Sequence, residues 1–146
     1  MAITQAMCTS FKVGILDGQY NFGSGTSQVF KVALYTSSAS LDASTTVYTT
    51  TDEVSSSGTG YTTGGKVLTI STNPTSGGTT AYLDFADVTW TSASLTAAGA
   101  LIYKYDGVTN PAVAVLSFGG DKTSSAGDFT IQFPTADAAN AIIRIA

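Results

Sequence analysis

A chain of 146 residues is long enough to bury a core of its own and is most simply read as one domain. Charged residues make up only 11% of it, against about 25% in an ordinary soluble domain, and the six basic ones are scattered singly in a chain of net charge −4, which argues against nucleic-acid binding through phosphates. Histidine is absent and cysteine occurs once, which removes Ser-His-Asp and Cys-His catalysis, imidazole metal sites and any intramolecular disulfide.

The surface must therefore be built mainly from Ser, Thr and Gly. Such a surface is poorly protected against self-association and suits a protein packed into an assembly, a low-charge monomer being the other reading. No apolar run approaches the ~20 residues of a membrane span. The opening MAITQAMCTSFK has neither a basic nor an apolar leader region, so no secretory signal is expected. The lone Cys8 fits folding in a reducing cytoplasm, and with no histidine to activate it an inert thiol is expected.

In chain order, Ile3, Met7, Phe11 and Ile15 recur every four residues and predict one apolar stripe of a helix that stops at Asp17-Gly18. Residues 1–18 are read as an N-terminal helix or arm, with two uses open: packing on the subunit's own sheet, or docking on a neighbouring subunit. Residues 19–146 are read as a single β-sandwich domain. Gln28 to Thr36 alternates Phe30, Val32 and Leu34 against Val29, Lys31, Ala33 and Tyr35, a strand apolar on both faces. Ser37 to Gly65 is then polar, with Leu41, Val47, Tyr48, Val54 and Tyr61 as sparse anchors. A loop of that length carries recognition or hides short elements, so Tyr48 and Tyr61 are either recognition contacts or plain anchors.

Lys66 to Ser71 predicts a strand, and Asn73-Pro74 with Gly77-Gly78 a turn. Ala81 to Phe118 reads as a three-strand core block, with a phase slip at Ala86-Asp87 that a β-bulge would produce. Its strands would be Ala81 to Trp90, Ala100 to Tyr105 and Ala112 to Phe118, with Ser92 to Gly99 a connector and Trp90 facing the core. GGDKTSSAGD is an exposed hairpin-like connection, Phe129, Ile131 and Phe133 alternate as a strand, and Ile142, Ile143 and Ile145 around Arg144 form a last strand. Such strands between Gly/Ser/Thr/Asn turns, without helices of crossover length, predict a mainly β fold. The expected form is an antiparallel β-sandwich or jelly roll with a short N-terminal helix or arm.

No catalytic constellation emerges, and the chain is not expected to be an enzyme. Asp84 and Asp87 flank the phase slip without converging, and turn formation explains Asp121 and Asp128 more simply than a shared calcium ion. No cofactor is expected. The candidate inter-subunit contacts are Ile3, Met7 and Phe11 at one end and Ile143, Arg144 and Ile145 at the other.

The segments MAITQAMCTSFK, FKVALYTSSASL, TTDEVSSSGTGYTTGGKVLT, LDFADVTWTSASLTAAGALIY and LSFGGDKTSSAGDFTIQFP resemble a family of small structural proteins of tailed bacteriophages. The resemblance implies a virion component made in the bacterial cytoplasm. Within that class, a capsid decoration or cement protein is the first expectation, a small β-sandwich or jelly roll on the outer shell. Its partners would be the major capsid protein or other virion proteins and further copies of itself, a homotrimer being favoured, with no role for nucleic acid or membrane. A tail, head-to-tail adaptor or fibre-base protein, or a host-surface or glycan-binding module, is the alternative.

Overall fold

Antiparallel pairing organises nearly all of the chain. The computed structural model describes residues 2–146. It begins with strand β1 (Ala6–Met7) and helix α1 (Thr9–Leu16), followed by β2 (Val29–Tyr35), β3 (Lys66–Val67), β4 (Ile70–Gly77) and β5 (Thr80–Phe85). Then come β6 (Val88–Ala93), β7 (Thr96–Tyr105), β8 (Ala112–Thr123), β9 (Gly127–Ile131) and β10 (Ile143–Ile145). One sheet has the order β1-β8-β7-β2-β3; two smaller ones have the orders β10-β5-β4 and β6-β9. The result is an antiparallel β-sandwich with one short helix.

The apolar density of β2, β7 and β8 follows from their central place. β7 is buried from Ala97 to Tyr103, because both faces of the five-stranded sheet are covered. On one face, Tyr35 and Tyr103 lie beneath the polar segment 37–65, to whose Thr49 and Gly64 carbonyls their hydroxyls donate at 2.6 Å each. On the other, Phe30 stacks on Phe22 at 4.3 Å between ring centroids, and Phe22 meets Phe85 at 6.3 Å. Phe85 meets Phe133 at 5.9 Å, so a run of rings joins the sheets. Trp90, 1% exposed, sits in the core as its alternation with Val88 predicts. Burying a ring of this kind contributes about 1.5–3 kcal/mol.

Several expectations are corrected. The four-residue stripe does not make one helix, since α1 begins only at Thr9. The residues before it find strand partners instead: Ala6 and Met7 pair with Val115 and Ala114, Thr4 N–H donates to Leu41 at 2.8 Å, and Cys8 N–H donates to Val113 at 2.9 Å. Backbone groups satisfied in this way gain nothing from a helix that Ile and Thr favour weakly. The short N-terminal helix is present, and residues 2–18 take the first of the two uses: they complete an edge of the main sheet and pack α1 beside β8.

Asn73-Pro74 does not turn the chain. It lies within β4, an edge strand whose register against β5 shifts on either side of Thr72, and an edge is where a residue without an N–H is tolerated. The stretch from Ala81 to Phe118 is not one block either, because its strands are shared among all three sheets. The phase slip at Ala86-Asp87 is the point where the chain passes from the β5 sheet to the β6 sheet. Ser92 to Gly99 is mostly strand rather than connector, with Ser92 at a φ of 50° inside a register shift of β6 against β9. Likewise, much of GGDKTSSAGD belongs to β8 and β9.

Candidate functional site

The polar segment 37–65 is held by its only glutamate rather than left free to recognise anything. The edge of β2 changes partner midway: Lys31 and Val32 pair with β3, whereas Tyr35 bridges to Glu53. Between those two partners the Leu34 N–H is accepted by the Tyr61 hydroxyl at 3.0 Å. That hydroxyl donates in turn to Glu53 Oε1 at 2.6 Å, which also accepts the Gly64 N–H at 2.7 Å. Tyr48 donates to Glu53 Oε2 at 2.6 Å, and its ring stacks on Tyr103 at 4.6 Å. Charge-assisted bonds of this kind are the strong ones. Burial, and then the bond to Glu53, push the Tyr48 and Tyr61 phenols well above their ordinary value, while burial pushes Tyr103 up to about 12. The expectation that these tyrosines could form an exposed recognition pair is therefore corrected: Tyr61 is buried and Tyr48 half-buried, both turned inward on one carboxylate.

The candidate contact residues at the two chain ends converge. Phe11 and Ile15 of α1, Tyr20 and Phe22 after it, and Ile143 and Ile145 of β10 line one apolar groove of about 150 Å³. Ile145 on the groove wall is 49% exposed, and Leu16, next in the chain to Ile15, is 88% exposed; Val13, 54% exposed, lies two residues from both Phe11 and Ile15 and so on the opposite side of α1. Not every candidate remains available for contact. Phe11 is fully buried, edge-on to Tyr20 at 4.7 Å, so a charge there would disrupt the subunit's own core and report nothing about partners. Ile143 is buried against β5, opposite Leu83. Ile3, bridged to Leu41, and Met7 are partly buried against the core. Arg144 and Ile145 stay exposed, although Arg144 donates to the Ala138 carbonyl at 3.2 Å. The pattern of apolar residues could reveal the chain ends, but only tertiary pairing shows that Leu16 and Val13 replace Phe11 and Met7 as the outward apolar residues.

The remaining reactive groups form no catalytic arrangement, although Asp84 Oδ1 is buried without a hydrogen-bond partner. Cys8 is buried, and desolvation raises its thiol to about 11, which removes it as a nucleophile near neutral pH. Burial raises the Asp84 carboxyl, with the charge of Asp87 adding to it, while Asp87 itself accepts the Phe133 N–H at 2.9 Å. Among the described residues no group of three or more His, Cys, Asp or Glu is placed to hold a metal ion, Asp121 and Asp128 included. The basic groups are partly spent on rings: Lys31 lies over Tyr105, Lys104 over Tyr20 and Lys66 over Trp90. Among the described residues no helix is long and apolar enough to cross a membrane.

Asp106 fastens the β7–β8 turn. Its carboxylate accepts the N–H groups of Asn110, Val108 and Thr109 at 2.9, 2.8 and 2.9 Å. Those bonds, from Asn110 first, lower it from 3.8 to about 2. A group depressed in the folded state contributes stability above its unfolded pKa and loses it as pH falls through the folded one. The urea midpoint should therefore decline as pH falls from about 4 to about 2, and Asp106→Ala should flatten part of that decline. An unchanged acid limb in the variant would show that the turn carboxylate does not contribute.

Compared with family models, with characterised proteins and with solved structures, the chain finds no match in any of the three.

Proposed function

We propose that this chain is a structural component of a tailed-bacteriophage virion, synthesised in the host cytoplasm, and within that class a capsid decoration or cement protein. The observation that carries the reading beyond the resemblance is the apolar groove lined by α1 and β10, with exposed Ile145 on its wall and exposed Leu16 next to groove-lining Ile15, on an otherwise weakly charged sandwich. Such a face suits burial against further copies of the chain, a homotrimer being favoured, or against the major capsid protein. The mechanism is mass action: a protein that binds the assembled shell and not its dissociated parts stabilises the assembled state. Many symmetry-related copies, each making a modest contact, give avid engagement without one strong site. The absence of a catalytic constellation in the sequence fits a non-enzymatic role.

The test is copy number per purified particle, by quantitative mass spectrometry against the major shell protein. Decoration predicts a copy number comparable to that of the shell protein. A few copies per particle would transfer the protein to the tail, head-to-tail adaptor or fibre base, and absence from particles would remove the virion reading. A whole-protein role as a host-surface module resting on Trp90 and the Tyr-bearing loop finds no support, since Trp90 and Tyr61 are both buried.

A further inference from the structure

The geometry points to a saccharide-binding cleft along the unpaired edge of β9, independent of the virion reading. β8 carries four residues, Phe118 to Asp121, where β7 carries one, because Ala97 pairs with Lys122 and Gly99 with Ser117. Gly119 and Gly120, at φ of 74° and 144°, let the backbone make that detour. The displaced stretch opens a cleft of about 460 Å³ between the end of β8 and β9, within the range of small-molecule sites.

Its lining joins one apolar and one polar wall. Phe118 is partly exposed and leans on buried Phe129 at 6.2 Å between ring centroids. Asp128, Thr130 and Gln132 follow the period of two along β9 and its extension, and all three are exposed. They form an outward row with a spacing of roughly 7 Å. Lys122 closes the far side. Thr130 shares a hydrogen bond of 2.9 Å with Thr89, whereas Lys122, Asp128 and Gln132 make no side-chain hydrogen bond to the chain among the described residues.

A pyranose ring matches this inventory. Its apolar C–H face packs on an aromatic ring, and its hydroxyls both donate and accept. A carboxylate, an amide and an ammonium together meet that need. Thr123 of the lining is tied to Thr96, their hydroxyls 2.8 Å apart. Lys122, Asp128 and Gln132 are ordered only on binding, which keeps the affinity weak. The cleft is electrostatically mixed, with one cation and one carboxylate, so a neutral hexopyranose fits better than a phosphate or a sulfated sugar.

The test is an amide-resolved NMR titration of the intact chain with neutral hexopyranoses: glucose, galactose, mannose and N-acetylglucosamine. The expected result is saturable shifts for at least one sugar, with a dissociation constant on the order of 1 mM. They should be confined to residues 117–132 and weakened at least tenfold in Phe118→Ala. Asp128→Ala and Gln132→Ala alter exposed side chains and keep the test decisive should Phe118→Ala disturb the fold; each should weaken binding severalfold. No saturable shift with any of the four sugars, shifts elsewhere on the sandwich, or binding unaffected by all three substitutions would overturn the proposal.

Discussion

Replacing Glu53 with alanine should lower the stability of the isolated chain by about 3 kcal/mol, from the cost of leaving its hydrogen-bond donors without an acceptor. Three donors converge on this one carboxylate: the Tyr48 and Tyr61 hydroxyls and the Gly64 N–H. Tyr61 lies beneath the loop where no water reaches it freely, whereas Tyr48 is half-buried and can recover a partner from solvent. Hence the estimate lies below the sum of three full penalties. With a denaturant slope of ~1.5–2 kcal/mol per M, the urea midpoint should fall by about 1.5–2 M. That is a large share of the 5–15 kcal/mol typical of a domain.

Two companions separate this account from a general loss of packing. Glu53→Gln keeps one acceptor oxygen for Tyr61 and Gly64, and lets Tyr48 reverse its role and accept from the new amide. It should cost roughly 1 kcal/mol. Tyr61→Phe removes the hydroxyl that accepts the Leu34 N–H, and hydrogen exchange at Leu34 should accelerate more than at its β2 neighbours. A change in midpoint below about 0.3 M for Glu53→Ala would show that the loop is held by its apolar anchors alone. Gly65 belongs to the same arrangement: at a φ of 78° it lies so close to β2 that a Cβ would collide with the Val32 carbonyl.

The glutamate also marks where reading the sequence stops. Dense apolar runs expose β2, β7 and β8 because a strand covered on both faces is apolar throughout, and Trp90 is assigned to the core by its alternation with Val88. Sheet membership is not local. The slip at Ala86-Asp87 looks identical whether a strand bulges or changes sheet, and only the partners β9 and β10, far along the chain, decide it. The stripe through Ile3, Met7 and Phe11 has helical spacing, yet only Phe11 is helical: Ile3 bridges to Leu41, and β1 takes Met7 because β8 offers backbone partners more than a hundred residues away. Glu53 showed one signal, as the single glutamate in a polar loop between two tyrosines. Its role could not be extracted, because three convergent donors are a tertiary fact. For the groove, apolar ends were legible, but their meeting at one place depends on β10 returning to β5 beside α1.

Charges placed on Ile145 of that groove and on Leu16, which follows groove-lining Ile15, give the second large expected effect. On the decoration role proposed above, Leu16→Asp combined with Ile145→Asp should reduce incorporation into particles more than tenfold while the subunit remains folded. Leu16 is 88% exposed at the last position of α1, and Ile145 is 49% exposed on an edge strand, so neither carboxylate enters the subunit's own core. Surface substitutions of this sort usually change stability by about 0.5 kcal/mol or less. Across an interface the balance differs, because a carboxylate buried against an apolar partner without a cation costs several kcal/mol, and central apolar anchors carry at least ~2 kcal/mol each. Arg144 is the nearest cation in sequence to Ile145, yet it is already turned back to the Ala138 carbonyl. The measurement is occupancy on particles lacking the wild-type chain, after addition of purified variant, with circular dichroism and urea midpoints as the folding control. Leu16→Ala should have a smaller effect than Leu16→Asp, since it shortens the apolar contact without burying a charge. Normal occupancy by the double aspartate variant, with its fold intact, would show that this groove faces solvent in the particle and that shell contact lies on another surface.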